Sequence, residues 1–259
     1  MDTRFWGPSG WKLLHLIAAS SQANRNRTFW EMLPYVLPCK FCRASLSTYY
    51  EEHPIPKTNE QFPTWLYTIH NCVNQKLRDQ GQQVAPDPPL GRVLALYEGL
   101  LQQGCTKTHF PGWDFLFSIA DNHPSSSPSA PMPDVPEVPP TTLSERNKYN
   151  LLTPAERKPL LKQFWASVPD VLPFEEWRSL WKKSAKSVQH AIKGRKQAVA
   201  WLWRIRCAMD EELYAMAKHD FYGLCKVLRN HRSGCSTNRR AKTCRRIRQG
   251  GARKTRRTK

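Results

Sequence analysis

Between Pro124 and Thr142 the chain reads PSSSPSAPMPDVPEVPPTT. Each proline fixes its own φ and lacks an amide donor, so seven of them rule out a helix or a central strand through this stretch. Small residues between the prolines offer nothing to bury, and an extended polyproline II linker is expected. It divides the 259 residues into a first unit, 1–123, a linker, 124–142, and a Trp-rich unit, 143–232. A basic tail, 233–259, follows.

Both units read as helical. Trp11, Leu14, His15 and Ala18 recur at helical spacing, as do Phe29, Trp30, Leu33, Val36 and Leu37. The clearest stripe is Trp65, Leu66, Ile69, Val73 and Leu77, entered through Pro63, which suits a first helical turn. Further helices are expected from Leu90 to Leu101 and from Trp113 to Ala120. Alternation with a period of two is scarce. The expected class is all-α: a four- or five-helix bundle, a second helical unit and the tail.

The formal charge is +19, and no Asp or Glu follows Asp220. Residues 226–259 carry fourteen Lys or Arg, a composition that cannot build a core and that suits an acidic partner such as nucleic acid, held through its phosphates. The opening Met1-Asp2-Thr3-Arg4 does not resemble a secretory signal, and Leu13–Ala19 is too short to span a bilayer. A cytosolic protein without a membrane partner is expected, in which eight cysteines point to catalysis or metal rather than to a disulfide framework.

Chemistry concentrates in Pro38-Cys39-Lys40-Phe41-Cys42. At a helix start, this spacing brings two sulfurs within bridging reach, and the helix dipole favours a thiolate at the first. Lys40 and Arg43 add positive charge. The competing reading is half of a zinc site, as in a zinc-dependent nucleic-acid binding protein using His53 or His70 as well. A structural zinc needs about four ligands, and no second Cys-x-x-Cys or His-x-x-x-His follows, so no metal site is assigned. In His70-Asn71-Cys72-Val73-Asn74 the imidazole and the last amide share a helix face with Val73 close by, which suits a flat ligand with polar edges. Trp11 and His15 have the same spacing. Taken singly, each of these is more often a core position.

Together, Gly7-x-x-x-Trp11-x-x-x-His15, Pro38-Cys39-x-x-Cys42 and Trp65-Leu66-x-x-x-His70-Asn71-x-Val73-Asn74 resemble, in order and spacing, the FAD-linked sulfhydryl oxidases of the Erv/ALR family. The opening FWGPSGW resembles the branch found in large DNA viruses, which implies a virion or host-cytoplasm setting. The resemblance covers the first unit and implies a helical bundle, usually dimeric, holding FAD. It places Gly7, Trp11 and His15 beside the cofactor on the first helix, and His70, Asn71, Val73 and Asn74 at its adenine and ribose. It makes Cys42 the sulfur against the flavin and Cys39 the one attacked by thiol-containing protein substrates, with O2 as final acceptor. Two positions depart from the family pattern: Leu37 replaces a tyrosine, and Asp79 stands where a lysine is expected. Lys76 or Arg78 is therefore left to meet the phosphates. The family's shuttle disulfide has candidates in Cys235 and Cys244, and Cys72 either pairs with Cys105 or stays a thiol.

The second unit echoes the first. Phe29-Trp30-x-x-x-Pro34-x-Val36-Leu37-Pro38 is matched by Phe164-Trp165-x-x-x-Pro169-x-Val171-Leu172-Pro173, and Arg43 by Arg178. One residue out of register, Trp65-Leu66-x-x-Ile69 is matched by Trp201-Leu202-x-x-Ile205. Phe174 and Trp177 replace the cysteines, while Arg206, Cys207 and Asp210 replace His70, Asn71 and Asn74. The expectation is a degenerate oxidase-like copy, similar to that of the quiescin sulfhydryl oxidases. The chain would then act as a pseudo-dimer closed by its own second unit, the alternative being a homodimer.

Overall fold

The computed structural model describes residues 2–105, 109–126, 130–213 and 219–232. Cys235, Cys244 and the basic tail lie outside the described residues. Within them the chain is helical, with no strand.

Helix α1 (Thr3–Ala18) opens on Asp2, whose carboxylate accepts from the Arg4 amide at 3.0 Å, satisfying one of the unpaired first-turn donors. Helix α2 (Thr28–Val36) is apolar on nearly every side and buried accordingly. It stops at Leu37, because the ring of Pro38 disfavours helical backbone in the residue before it. Helix α3 (Lys40–Glu52) therefore starts afresh, with Cys39 as its extended N-cap residue. A single 3-10 turn, Asn59–Gln61, leads into α4 (Phe62–Asp79), with Pro63 in its first turn as expected. Gly81, at φ 72°, takes the left-handed conformation that ends α4, while Lys76 and Arg78 lie at its negative end. Helix α5 is Leu90–Gln102 and α6 is Trp113–Asp121.

After the linker come α7 (Leu143–Lys148), α8 (Pro154–Val171), α9 (Glu175–Ala185), α10 (Gln189–Lys193), α11 (Arg195–Glu212) and α12 (Phe221–His231). Thr153 and Glu156 form a reciprocal capping box at the start of α8. No helix of the described residues is long and apolar enough to cross a membrane.

Helices α1 to α5 pack around one another, as do α6 and α8 to α11. The two groups share one continuous core, joined where α1 meets α6, α2 meets α8 and α3 meets α7. Local geometry repeats across it. Arg43 Nη1 donates to Leu37 O at 2.9 Å, and Arg178 Nη1 donates to Leu172 O at 2.7 Å. Trp65 Nε1 donates to His53 O, and Trp201 Nε1 to Ala185 O, both at 2.9 Å. Phe174 takes the extended N-cap position of α9 that Cys39 takes in α3.

The contacts between the halves are reciprocal. Gly10 of α1 lies against Phe115, and Gly112, at the start of α6, lies against Leu13. Phe29 stacks on Phe164, its counterpart in the repeat, with ring centroids 5.5 Å apart. A seam in which residue i meets j while j's counterpart meets i's is the mark of a two-fold arrangement.

Candidate active site

Cys39 ends an extended corner, and Cys42 lies on the first turn of α3. The Arg43 amide closes that turn onto Cys39 O at 3.0 Å. The early amides of α3 lack carbonyl partners within the helix, and no acid occupies its first turn, so the field there favours negative sulfur. Cys39 is 0% exposed and Cys42 is half-buried. The two nearby cations are engaged elsewhere than sequence spacing suggested. Arg43 is buried, binding Leu37 O and, at 2.6 Å, Asn150 Oδ1, so it fixes the corner between α2 and α3. Lys40 Nζ donates to Ala130 O at 2.8 Å.

In the same bundle, helices α1, α4 and α5 gather a ring cluster. Trp11 stacks on His70 with centroids 3.8 Å apart and planes 11° from parallel. His15 Nε2 and His70 Nδ1 are 3.0 Å apart, so one donates its proton to the other's lone pair. Tyr97 of α5 stacks on His15 at 5.0 Å. Burial, and secondarily the neighbouring His70, pushes His15 down to about 3. Burial likewise pushes His70 down to about 4, against the opposing pull of Asp87. Both imidazoles are neutral at pH 7, and the cluster presents uncharged flat faces.

One turn beyond His70, Asn74 Nδ2 donates to Asp87 Oδ1 at 2.7 Å, and Arg78 Nη2 to Asp87 Oδ2 at 2.5 Å. These contacts hold the Asp87 carboxyl below the usual carboxylate range, the Arg78 hydrogen bond foremost. Lys76 turns toward α3 and donates to Ser45 Oγ. Asn71 and Val73 are half-buried on the same helix. Gly7 faces open space, where a Cβ would meet nothing within 4 Å.

Cys72 Sγ lies 3.8 Å from His53 Nε2. Tyr49 donates to Cys72 O at 3.3 Å and is pushed up to about 12, chiefly by burial. Tyr49, Asp87 and Tyr97 lie outside the sequence motifs, although Tyr49 falls seven residues after Cys42, two helical turns along the same face, a spacing that sequence carries. Asp87 and Tyr97 carry no local signal. Among the described residues, no three His, Cys, Asp or Glu side chains converge as a metal site, and nothing supports the zinc reading.

The model of the Erv1 / Alr family matches residues 8–86, which span α1 to α4. The FAD-linked sulfhydryl oxidase of African swine fever virus (isolate Pig/Kenya/KEN-50/1950) is 34% identical over 80 residues, 28% of this chain and 67% of the viral protein. The chain belongs to the Erv1/Alr family. Mitochondrial FAD-linked sulfhydryl oxidase ERV1 of Saccharomyces cerevisiae is 32% identical over 85 residues, 30% of this chain and 45% of the yeast protein. A probable FAD-linked sulfhydryl oxidase of Acanthamoeba polyphaga mimivirus is 31% identical over 85 residues, 29% of this chain and 59% of that relative. This Erv1/Alr chain thus spans less than half of the yeast relative and about two thirds of the African swine fever virus one. No solved structure matches it. The matched stretch holds Cys39, Cys42, Trp11, His15 and the whole His70–Asn74 motif, with Gly7 one residue outside it.

Proposed function

We propose that this chain is an FAD-dependent thiol oxidase that makes disulfides in protein substrates and reduces O2 to H2O2. The observation that carries this reading is the pairing of Cys39 and Cys42, at an electropositive helix start, with the neutral Trp11–His15–His70 cluster of the same bundle. The residues fit FAD. Neutral rings suit an aromatic cofactor and Asn71 adds an amide, while Lys76 and Arg78 would meet phosphate by exchanging their present partners, Ser45 and Asp87. When bound, FAD accepts the electron pair from the dithiol and passes it to O2.

The chain's own residues perform the exchange. A substrate thiolate attacks Cys39 Sγ of the Cys39–Cys42 disulfide, forming a mixed disulfide and expelling the Cys42 thiolate. A second substrate thiolate attacks the substrate sulfur and expels the Cys39 thiolate. One substrate disulfide has formed, and two electrons rest on Cys39 and Cys42. The α3 N-terminus stabilises each departing thiolate.

The second half is read as a degenerate copy, and three observations support this. The first is the reciprocal seam. The second is a register that extends further back than the Phe164 motif: Gly10-Trp11-x-x-Leu14-x-x-Ile17-Ala18 is echoed by Gly112-Trp113-x-x-Leu116-x-x-Ile119-Ala120. This register favours a unit boundary between α5 and α6, with the Pro-rich stretch inside the copy. The third is that the copy's site is filled with side chains. Arg206, in the place of His70, lies over Trp113 and Trp203 and donates to Asp210 at 3.1 Å. Trp177, in the place of Cys42, is 1% exposed and packs edge-on to Phe174 and Phe110. The chain is thus a pseudo-dimer with one flavin. Binding of nucleic acid by the basic tail and residence in a virion or host cytoplasm complete the proposal, the latter supported by the viral relatives.

The test is an absorption spectrum with mass measurement in solution. A flavin band that dithiothreitol bleaches and air restores with O2 consumed, at one flavin per monomeric chain, is expected. A colourless protein would overturn the oxidase, and two flavins per chain would overturn the degenerate copy.

A further inference from the structure

Cys39 must be reached by a substrate sulfur, yet its residue is wholly enclosed. The element laid on the residue beside it is the far end of the Pro-rich stretch. Lys40 Nζ donates to Ala130 O at 2.8 Å and to Pro131 O at 3.3 Å. Asn150 Nδ2 donates to the same Ala130 O at 3.0 Å, while Asn150 Oδ1 accepts from Arg43. Met132 N donates to Tyr149 O at 3.0 Å. Two side chains thus converge on one linker carbonyl, and both belong to the redox corner or are bonded to it.

Asn150 itself sits at φ 58°, a left-handed conformation that asparagine tolerates better than most residues. It is set there by α7, which Asn147 docks onto α2 and α3 by donating to Pro34 O at 2.9 Å and Ser47 Oγ at 3.1 Å. The second half therefore reaches back over the catalytic half and pins the linker beside the dithiol. A backbone without helix or strand, held beside Cys39 through a few hydrogen bonds, is cheap to displace.

We propose that Ala130–Met132 is a strap that sets substrate specificity by size: a small local opening beside Lys40 admits small thiols to Cys39, whereas the whole strap must lift before a folded protein thiol can reach it. This rests on the oxidase reading, with Cys39 as the attacked sulfur. Lys40 and Asn150 are the strap's catches, so the residue between the two cysteines helps select the substrate as well as bearing charge near them.

The test begins with the reduced full-length protein, comparing alkylation of Cys39 by iodoacetamide and by a polyethylene-glycol maleimide, read by peptide mass spectrometry. Cys39 is expected to react readily with the small reagent and slowly with the polymer. Asn150→Gly keeps the left-handed backbone and removes one catch. It should speed polymer labelling of Cys39 about five- to tenfold, the effect of one or two lost hydrogen bonds. Turnover of a reduced protein substrate should rise by a similar factor, while dithiothreitol turnover stays within about twofold. Equal labelling of the wild type by both reagents, or an unchanged ratio in a folded Asn150→Gly protein, overturns the strap. If the variant does not fold, the wild-type labelling ratio decides alone. Failure of all turnover with the labelling pattern intact would sink the oxidase reading and spare the strap.

Discussion

The seam between α1 and α6 can be tested by adding a single methyl group. In Gly112→Ala the new Cβ would lie 2.9 Å from Phe110 Cε1 and closer still to Leu13 Cδ2, inside the 3.0 Å that real Cβ atoms keep. Leu13 is fully buried and has no open direction to move. Gly112 is the N-cap residue of α6, so alanine gains little there from helix propensity. Overpacking of this kind costs about 1–3 kcal/mol. Gly10→Ala is the control: its nearest contact is 3.1 Å from Phe115 Cδ2, and Gly10 lies inside α1, where alanine returns about 1 kcal/mol. Gly10→Ala should be near neutral and Gly112→Ala clearly destabilising in urea unfolding followed by tryptophan fluorescence. Leu13→Ala alone should cost roughly 2–5 kcal/mol. Combined with Gly112→Ala it should cost less than the sum by at least about 1 kcal/mol, because the truncation removes the main clash. Additivity of the pair to within about 0.5 kcal/mol would refute the reciprocal seam.

Acid should weaken the cofactor cluster. His15 and His70 are held at about 3 and about 4 when folded, against about 6.5 when unfolded, so the unfolded chain binds more protons at intermediate pH. Their contribution is complete above about pH 6.5 and drains as pH falls toward 4 and then 3, with a limiting slope of about 1.4 kcal/mol per pH unit for each imidazole. Thermal melts of His70→Gln should show a shallower acid limb, and an identical limb would contradict the assignment. The Asp121 side chain is 1% exposed and accepts from Arg232 twice at 2.5 Å and from Arg195 at 3.1 Å. Asp121→Asn should cost about 2–3 kcal/mol and make α12 the first element to exchange its amide hydrogens; unchanged exchange in α12 would show that the anchor is idle. Arg206→Met strands the half-buried Asp210, whose carboxyl burial already raises, and should cost about 1–3 kcal/mol while leaving the flavin content unchanged. Loss of flavin in that variant would place cofactor chemistry in the second half.

Helix positions were legible because α1, α2 and α4 carry apolar stripes with a clean period and start or stop at Asp2, Pro38 and Pro63. The site motifs were legible for a related reason: Trp11 with His15 and His70 with Asn74 each repeat at one helical turn, so sequence spacing alone sets a common face. The partners that complete the site were not. Asp87 reaches Asn74 and Arg78 from an extended segment, and Tyr97 reaches His15 from another helix, contacts that only tertiary packing creates. Arg43 departs most from its sequence expectation: charge near a Cys-x-x-Cys suggests thiolate support, but its guanidinium donates to Leu37 O and Asn150 Oδ1 and is drawn into the corner it stabilises. Arg178 repeats that corner beside no cysteine at all, which shows that the arginine serves the turn.

The same comparison explains why an inactive copy would keep its framework. On the degenerate-copy proposal, Trp177 and Arg206 stand in the second half where Cys42 and His70 stand in the first. The face kept intact holds Gly112, Phe115 and Phe164, the residues that meet Leu13, Gly10 and Phe29. Without that cover, α1 and α2 would expose Leu13 and Phe29, both now fully buried, at a cost of about 1.5–3 kcal/mol for each large side chain. On the pseudo-dimer proposal, the second half would do for the first what a second subunit does in a symmetric dimer. The second half also sends α7 over α3 and the Pro-rich stretch to Lys40, an asymmetric contact that two identical active subunits could not make without both sites being covered.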